Sequence, residues 1–231
     1  MRKVILLELA VLLCVGMVGL FVLSVSYTKP AEVVFLPMET EDALVSFPYT
    51  IPGTNLVALH FAVYDGPFYE DGTGEEVFGV TALVIQNKGE HMVERGTVFL
   101  ESEEGSGYFC FTSLPAGASI LVPEQNRAKT RPESILRCTG EVSVCETALP
   151  WDHLEITHTD SITLAVSNKD TVTYENICIS YKDYDTPSRL YIGGETMSVT
   201  IAELRPGQTV TVSPYRYVEG YSSIVAVKSS Q

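Results

Sequence analysis

The chain has 231 residues, with 29 Asp or Glu against 15 Lys or Arg and a formal net charge of −14. Leaving out Arg2, Lys3 and Glu8 of the apolar N-terminal segment leaves 13 basic and 28 acidic residues, a net of −15. A surface that negative repels phosphate backbones, which excludes nucleic-acid binding and docking on anionic lipid headgroups through a basic patch. Hydrophobic residues at 45% and aromatic residues at 10% supply enough apolar surface for packed cores, which excludes a disordered chain.

The first element is the apolar run 4–26, in which Glu8 is the only charge. A helix of that length crosses a hydrocarbon core of about 30 Å. A cleaved signal peptide is the competing reading, with Met1-Arg2-Lys3 as its basic start and a cut after Ser26. The run exceeds the roughly 7–15 apolar residues of an ordinary signal, so length favours an uncleaved transmembrane anchor over residues 1–26. Arg2 and Lys3 precede the run, which predicts a cytoplasmic N-terminus and an exported body. Leu13 before Cys14 is not the small residue that lipid attachment requires, and the glycines of Gly16-Met17-Val18-Gly19 are three apart, not four as in a dimerising helix.

Residues 27–55 read as an extracytoplasmic stalk, punctuated by Pro30, Pro37, Pro48 and Pro52 around the acidic stretch Glu39–Asp42. From Leu56 onward, apolar alternation recurs about every ten residues between Gly, Asn, Asp and Pro turns, the pattern of an all-β sandwich or barrel. The alternation is duplicated. Leu83-Val84-Ile85-Gln86-Asn87-Lys88 matches Leu164-Ala165-Val166-Ser167-Asn168-Lys169, and Glu94 and Val98 match Glu175 and Ile179 at the same offset. Phe109–Gly117 then matches Val199–Gly207, Val122 matches Val212, and Ser134-Ile135-Leu136 matches Ser223-Ile224-Val225. An insertion near Thr186-Pro187-Ser188 accounts for the longer second copy. The expected architecture is therefore two tandem immunoglobulin-like β-sandwich modules, 56–150 and 151–231, each of about seven strands with one buried face per sheet. In the second copy Ile162, Leu164 and Val166 should point inward, as should Ile177, Ile179 and Tyr181, with Cys178 and Ser180 outward.

Asn168-Lys169, Tyr181-Lys182-Asp183-Tyr184-Asp185, Tyr191-Ile192-Gly193-Gly194 and Leu204-Arg205-Pro206-Gly207 together resemble uncharacterised membrane-anchored proteins of Gram-positive, Clostridia-type bacteria. Those proteins carry tandem immunoglobulin-like modules loosely similar to FxLyD domains. The resemblance spans about residues 56–231 and implies an exported sandwich on a single anchor. It implies no activity and no cofactor.

Chemistry-bearing constellations are few. Four cysteines lie in the body; Cys138 and Cys145 are the best disulfide pair if Thr139-Gly140 turns the chain, while Cys110 and Cys178 fall on predicted outer faces. His153, Glu155, Asp152 and His158 lie close in sequence, but two or three ligands do not close a metal site. The acidic stretch Asp65–Glu76 lacks the alternation of a calcium loop and reads as a hairpin turn. No nucleophile elbow, phosphate loop or dinucleotide fingerprint is present, so no catalytic residue is expected. What stands out is a density of amphipathic rings, Tyr184, Tyr191, Tyr215, Arg216, Tyr217 and Tyr221, with Tyr181 expected in the core. Tyrosine and arginine are enriched at binding hot spots, and tyrosine rings stack on sugars. The expectation is a non-enzymatic, membrane-tethered interaction or structural protein of the envelope, touching another envelope protein. The alternative is a glycan- or cell-wall-binding module using this tyrosine-rich end.

Overall fold

A computed structural model describes residues 32–35, 45–103, 105–129, 135–145 and 153–230. The expected anchor over residues 4–26 lies outside them, as do residues 27–31 and 36–44 of the expected stalk. Residues 31–231 cluster as one compact unit. Among the described residues the regular structure is β-strand, with no α-helix.

The first half contributes β1 (Glu32–Phe35), β2 (Tyr49–Thr50), β3 (Leu56–Phe68), β4 (Glu75–Asn87), β5 (Met92–Ser102), β6 (Gly105–Leu114), β7 (Ser119–Pro123) and β8 (Ile135–Cys145). The second contributes β9 (Leu154–Asp160), β10 (Thr163–Asn168), β11 (Tyr174–Asp185), β12 (Leu190–Leu204), β13 (Thr209–Val212) and β14 (Ser222–Ser230). Each half repeats one topology. Strands β3-β4-β7 form one layer and β6-β5-β8 the other; β9-β10-β13 and β12-β11-β14 reproduce them in the same order. The sequence copies align β4 with β10, β5 with β11 and β6 with β12.

Alternation places the cores. In the first half Leu56, Leu83, Ile85, Val98, Phe109, Phe111 and Ile120 meet between the two layers. In the second, Leu164, Val166, Ile177, Ile179, Tyr181, Ile201 and Leu204 do the same. Gly96 on β5 leaves room for a ring: a Cβ there would stand 2.2 Å from Phe111 Cζ. Ile162 departs from the expected pattern, because it falls in the turn between β9 and β10 and is 52% exposed.

One asparagine in each half ties the turns together. Asn87 Nδ2 donates to the carbonyls of His91, Leu114 and Pro115, and its Oδ1 accepts from Gly89 N at 2.9 Å. Asn168 Nδ2 donates to Val172 and Leu204, and its Oδ1 accepts from Asp170 N at 2.8 Å. The main-chain bonds correspond as well: Gly117 N donates to Asn87 O at 2.9 Å and Gly207 N to Asn168 O at 3.0 Å. Both asparagines are buried, 1% and 0% exposed, so these bonds are what makes an amide tolerable there.

The halves share a sheet. Strand β7 pairs in parallel with the start of β12, Ser119 to Leu190 through Leu121 to Ile192. This joins β3-β4-β7 to β12-β11-β14 in an eight-stranded sheet ordered β1-β3-β4-β7-β12-β11-β14, with β2 on β3. A third apolar cluster, Ala62, Tyr64, Phe68, Val80, Ala82, Val84, Leu121 and Leu190, packs on the face of β3-β4-β7 opposite the first core. The expectation of one buried face per sheet is therefore corrected for this layer. Residues Val80 through Ile85 are all buried, the continuous apolar signature of a strand covered on both sides.

Candidate binding groove

Strand β12 changes partners along its length, and that geometry shapes the candidate site. Tyr191 pairs with Tyr184 and Met197 with Tyr181, while Ile192 pairs with Asp183. Four residues of β12, Gly193 to Thr196, thus stand opposite the single residue Lys182, a wide bulge that leaves carbonyls without ladder partners. Lys182 fills the gap. Its side chain is fully buried, and Nζ donates to Gly194 O and Glu195 O at 2.7 Å each and to Gly193 O at 3.4 Å. Burial pushes its ammonium down to about 7, against the pull of Glu195, Glu70 and Asp183.

The bulge projects onto the first half. Gly194 lies against β6 so closely that a Cβ would sit 2.0 Å from Cys110 O. Glu70 Oε1, from the β3–β4 hairpin, accepts Gly194 N at 2.9 Å, and Thr112 Oγ1 meets Thr196 Oγ1 at 2.7 Å. Arg216 completes the seam: its guanidinium lies 3.5 Å from the Tyr69 ring centroid, and Nη2 bonds Asp183 Oδ2 at 3.2 Å. Burial raises the carboxyls of Glu70 and Asp183 above their usual range, with the Gly194 amide opposing this for Glu70 and Arg216 for Asp183. Charged groups here are spent on joining the halves. Their partners are main-chain atoms and one another.

Between the halves runs an open groove of about 610 Å³. Leu59, Val84 and Leu190 form an apolar floor beside Gly117 and Ala118; Tyr184 and Tyr191 line it from the second half, and His60, Gln86, Ser119, Ser188 and Arg189 supply polar groups. Two local devices build it. The β3 register shifts between Ala58 and His60, so Leu59 is an extra residue and both it and His60 reach the groove. Tyr184 and Tyr191 are cross-strand partners, with ring centroids 5.1 Å apart at 54°. Gln86 Nε2 donates to Gly117 O at 3.3 Å, which holds its amide in place. Burial lowers the His60 imidazole below its usual value, keeping it neutral at pH 7.

The six sequence-predicted binding residues therefore part company. Tyr184 and Tyr191 line the groove. Tyr221 is exposed beside it, and its carbonyl accepts Tyr184 N at 2.8 Å. Tyr215 is 75% exposed and lines no part of the groove, and Arg216 is held in the seam. Tyr217 is a core residue at 3% exposure, edge-on to Tyr181 and bonded through its hydroxyl to His158 Nε2 at 2.9 Å. Packing claims it because Tyr181 and the β9 histidine offer a ring edge and a polar partner together. Sequence reasoning missed His60, Gln86 and Arg189 as groove residues and Glu70 and Lys182 as seam residues. The available signal for the seam was Gly193-Gly194 within a strand pattern, which marks a bulge or a close backbone approach.

The Cys138–Cys145 disulfide is corrected. Both residues lie on the single strand β8, paired through to Leu100 and Met92 of β5, with Thr139-Gly140 inside the ladder and not in a turn. Seven residues of strand separate them by roughly 23 Å, far beyond the reach of a disulfide. All four body cysteines are thiols, and burial pushes that of Cys138 up to about 11. His153 Nδ1 lies 3.2 Å from Asp170, and Glu155 pairs with Lys169 at 2.9 Å; among the described residues no three His, Cys, Asp or Glu side chains converge as a metal set.

Compared with known proteins, the chain matches no family model and no curated protein.

Proposed function

We propose that this chain is a non-enzymatic, membrane-tethered extracytoplasmic binding protein, two immunoglobulin-like sandwiches fused into one body and held off the bilayer by residues 1–26 and a stalk. The observation that carries the binding part is the groove, where Tyr184 and Tyr191 meet over an apolar floor lined by elements of both halves. The apolar run 4–26 and its basic flank support the tether. The titratable groups that burial perturbs most at the seam point their polar atoms at main-chain or ionic partners, which supports a scaffold and not a reaction centre. The experiment is protease treatment of intact cells making the chain with a tag after Gln231. Digestion of the tag while the membrane stays sealed supports the reading, and a tag protected until lysis refutes it.

A second reading, that the ligand is a glycan of the envelope or cell wall, is favoured by one feature. The lining combines the rings of Tyr184 and Tyr191 with the polar groups of Gln86, Ser119 and Arg189, the two kinds of surface that suit the C–H faces and hydroxyl edges of pyranose rings. A glycan array probed with the full chain tests it, and a blank array removes it in favour of a protein partner.

A further inference from the structure

We propose that the groove binds a carboxylate-bearing oligosaccharide, with Tyr184 and Tyr191 against the sugar faces and Arg189 paired to the carboxylate. The proposal rests on the glycan reading above and adds the ligand's charge.

Charge complementarity carries the addition. The chain has nearly twice as many acidic as basic residues, yet no Asp or Glu lines the groove. Asp185, next to Tyr184 in sequence, is engaged by Ser188 through both its N–H and its hydroxyl. Arg189 is the one permanently charged lining residue. Among the described residues Arg189, like Arg95 and Arg137, has no ion-pair partner, while Arg127, Arg205 and Arg216 each pair with a carboxylate; of these arginines Arg189 alone lines the groove. A guanidinium left unpaired in so acidic a chain is where an anion is attracted and not repelled. Its planar fork also matches a carboxylate in a way that an ammonium does not.

Arg189 is also placed with backbone strain. Its φ is 57°, a left-handed conformation that a non-glycine residue adopts at a cost. The residue closes the Asp185–Leu190 turn, the insertion that distinguishes the second copy from the first. The strained turn brings the arginine to the rim just where Leu190 enters the parallel pair with β7. The Ser119 hydroxyl and the Gln86 amide, both in the groove lining, face the hydroxyl groups of the sugar. An apolar ligand would leave these polar groups facing hydrocarbon, and a cationic one would meet Arg189.

Calorimetry on the full chain in detergent, with tetragalacturonate and its methyl ester as probes, tests this. The expected result is binding of the acid at least about tenfold tighter than the ester, the usual worth of a charge-assisted hydrogen bond. Arg189→Gln, at an exposed position, should leave the melting temperature unchanged and erase that difference. Tyr184→Ala should weaken both probes about tenfold. Equal binding of acid and ester, or an Arg189→Gln protein that still prefers the acid, overturns the proposal while leaving the glycan reading intact. If neither probe binds, the proposal is overturned, and the array decides separately whether any glycan is the ligand.

Discussion

At Lys182 a single side chain replaces a stretch of missing ladder. The bulge leaves the Gly193, Gly194 and Glu195 carbonyls without strand partners, and the ammonium supplies the hydrogen bonds they lack. Exchanging a buried ion for a hydrocarbon is often neutral when both partners go. Here the carbonyls cannot be removed with the lysine. Lys182→Met should therefore cost about 2–4 kcal/mol, read as a lowered urea midpoint with an unchanged slope. The same residue gives stability a pH dependence. Its ammonium titrates at about 7 in the folded state against 10.5 ordinarily, so across that window the unfolded chain holds the extra proton. Stability then rises as pH increases from 7 toward 10.5, and below 7 the lysine is charged in both states and adds no slope. Urea midpoints at pH 7 and pH 9.5 should differ in the wild type by more than in Lys182→Met. Identical differences would remove Lys182 as the source.

Among elements, the asparagine turns and the β12 bulge had opposite legibility. Asn87 and Asn168 stood out because each follows an apolar strand and precedes a lysine at matching offsets, and local hydrogen bonding decides their role. Each replaces several turn bonds with one buried amide. Asn87→Ala should cost about 2–3 kcal/mol and Asn168→Ala somewhat less, since Asn87 Nδ2 serves three carbonyls and Asn168 Nδ2 two. Chemical denaturation of the two variants orders them. The bulge was hidden for a physical reason. Alternation on β11 correctly sends Ile177, Ile179 and Tyr181 inward and Cys178, Ser180 and Lys182 outward, but it carries no information on what lies outside. The first half lies there, so an outward lysine became the most buried cation in the described residues. Gly194→Ala tests that contact directly. A Cβ at 2.0 Å from a backbone oxygen cannot be relieved by a rotamer change, and the variant should lose more than about 4 kcal/mol or fail to fold. A mild effect would mean that the halves move apart freely.

For the whole molecule, the sequence pattern conveyed the all-β class, the duplication of strand order and, Ile162 excepted, the inward faces of the second copy. The expectation of two tandem bodies with a boundary near Leu149-Pro150-Trp151 held no trace of the parallel β7–β12 pair that makes one sheet of both halves. Parallel pairing between distant strands has no short-range signature, since its partners are fixed by the packing of everything between them. The groove was half legible for the same reason: Tyr184 and Tyr191 are neighbours on one hairpin, whereas Leu59, His60 and Gln86 reach it from the other half.

The β7 edge also sets an order of events during synthesis. Its partner on β12 emerges from the ribosome about 70 residues later, so a nascent or truncated first half presents Ile120 and Leu121 on an uncovered strand edge. Such edges recruit other chains. A polypeptide ending at residue 150 should self-associate where the full chain does not, and sedimentation of the two side by side would reveal whether synthesis must finish before the early half is safe from its neighbours.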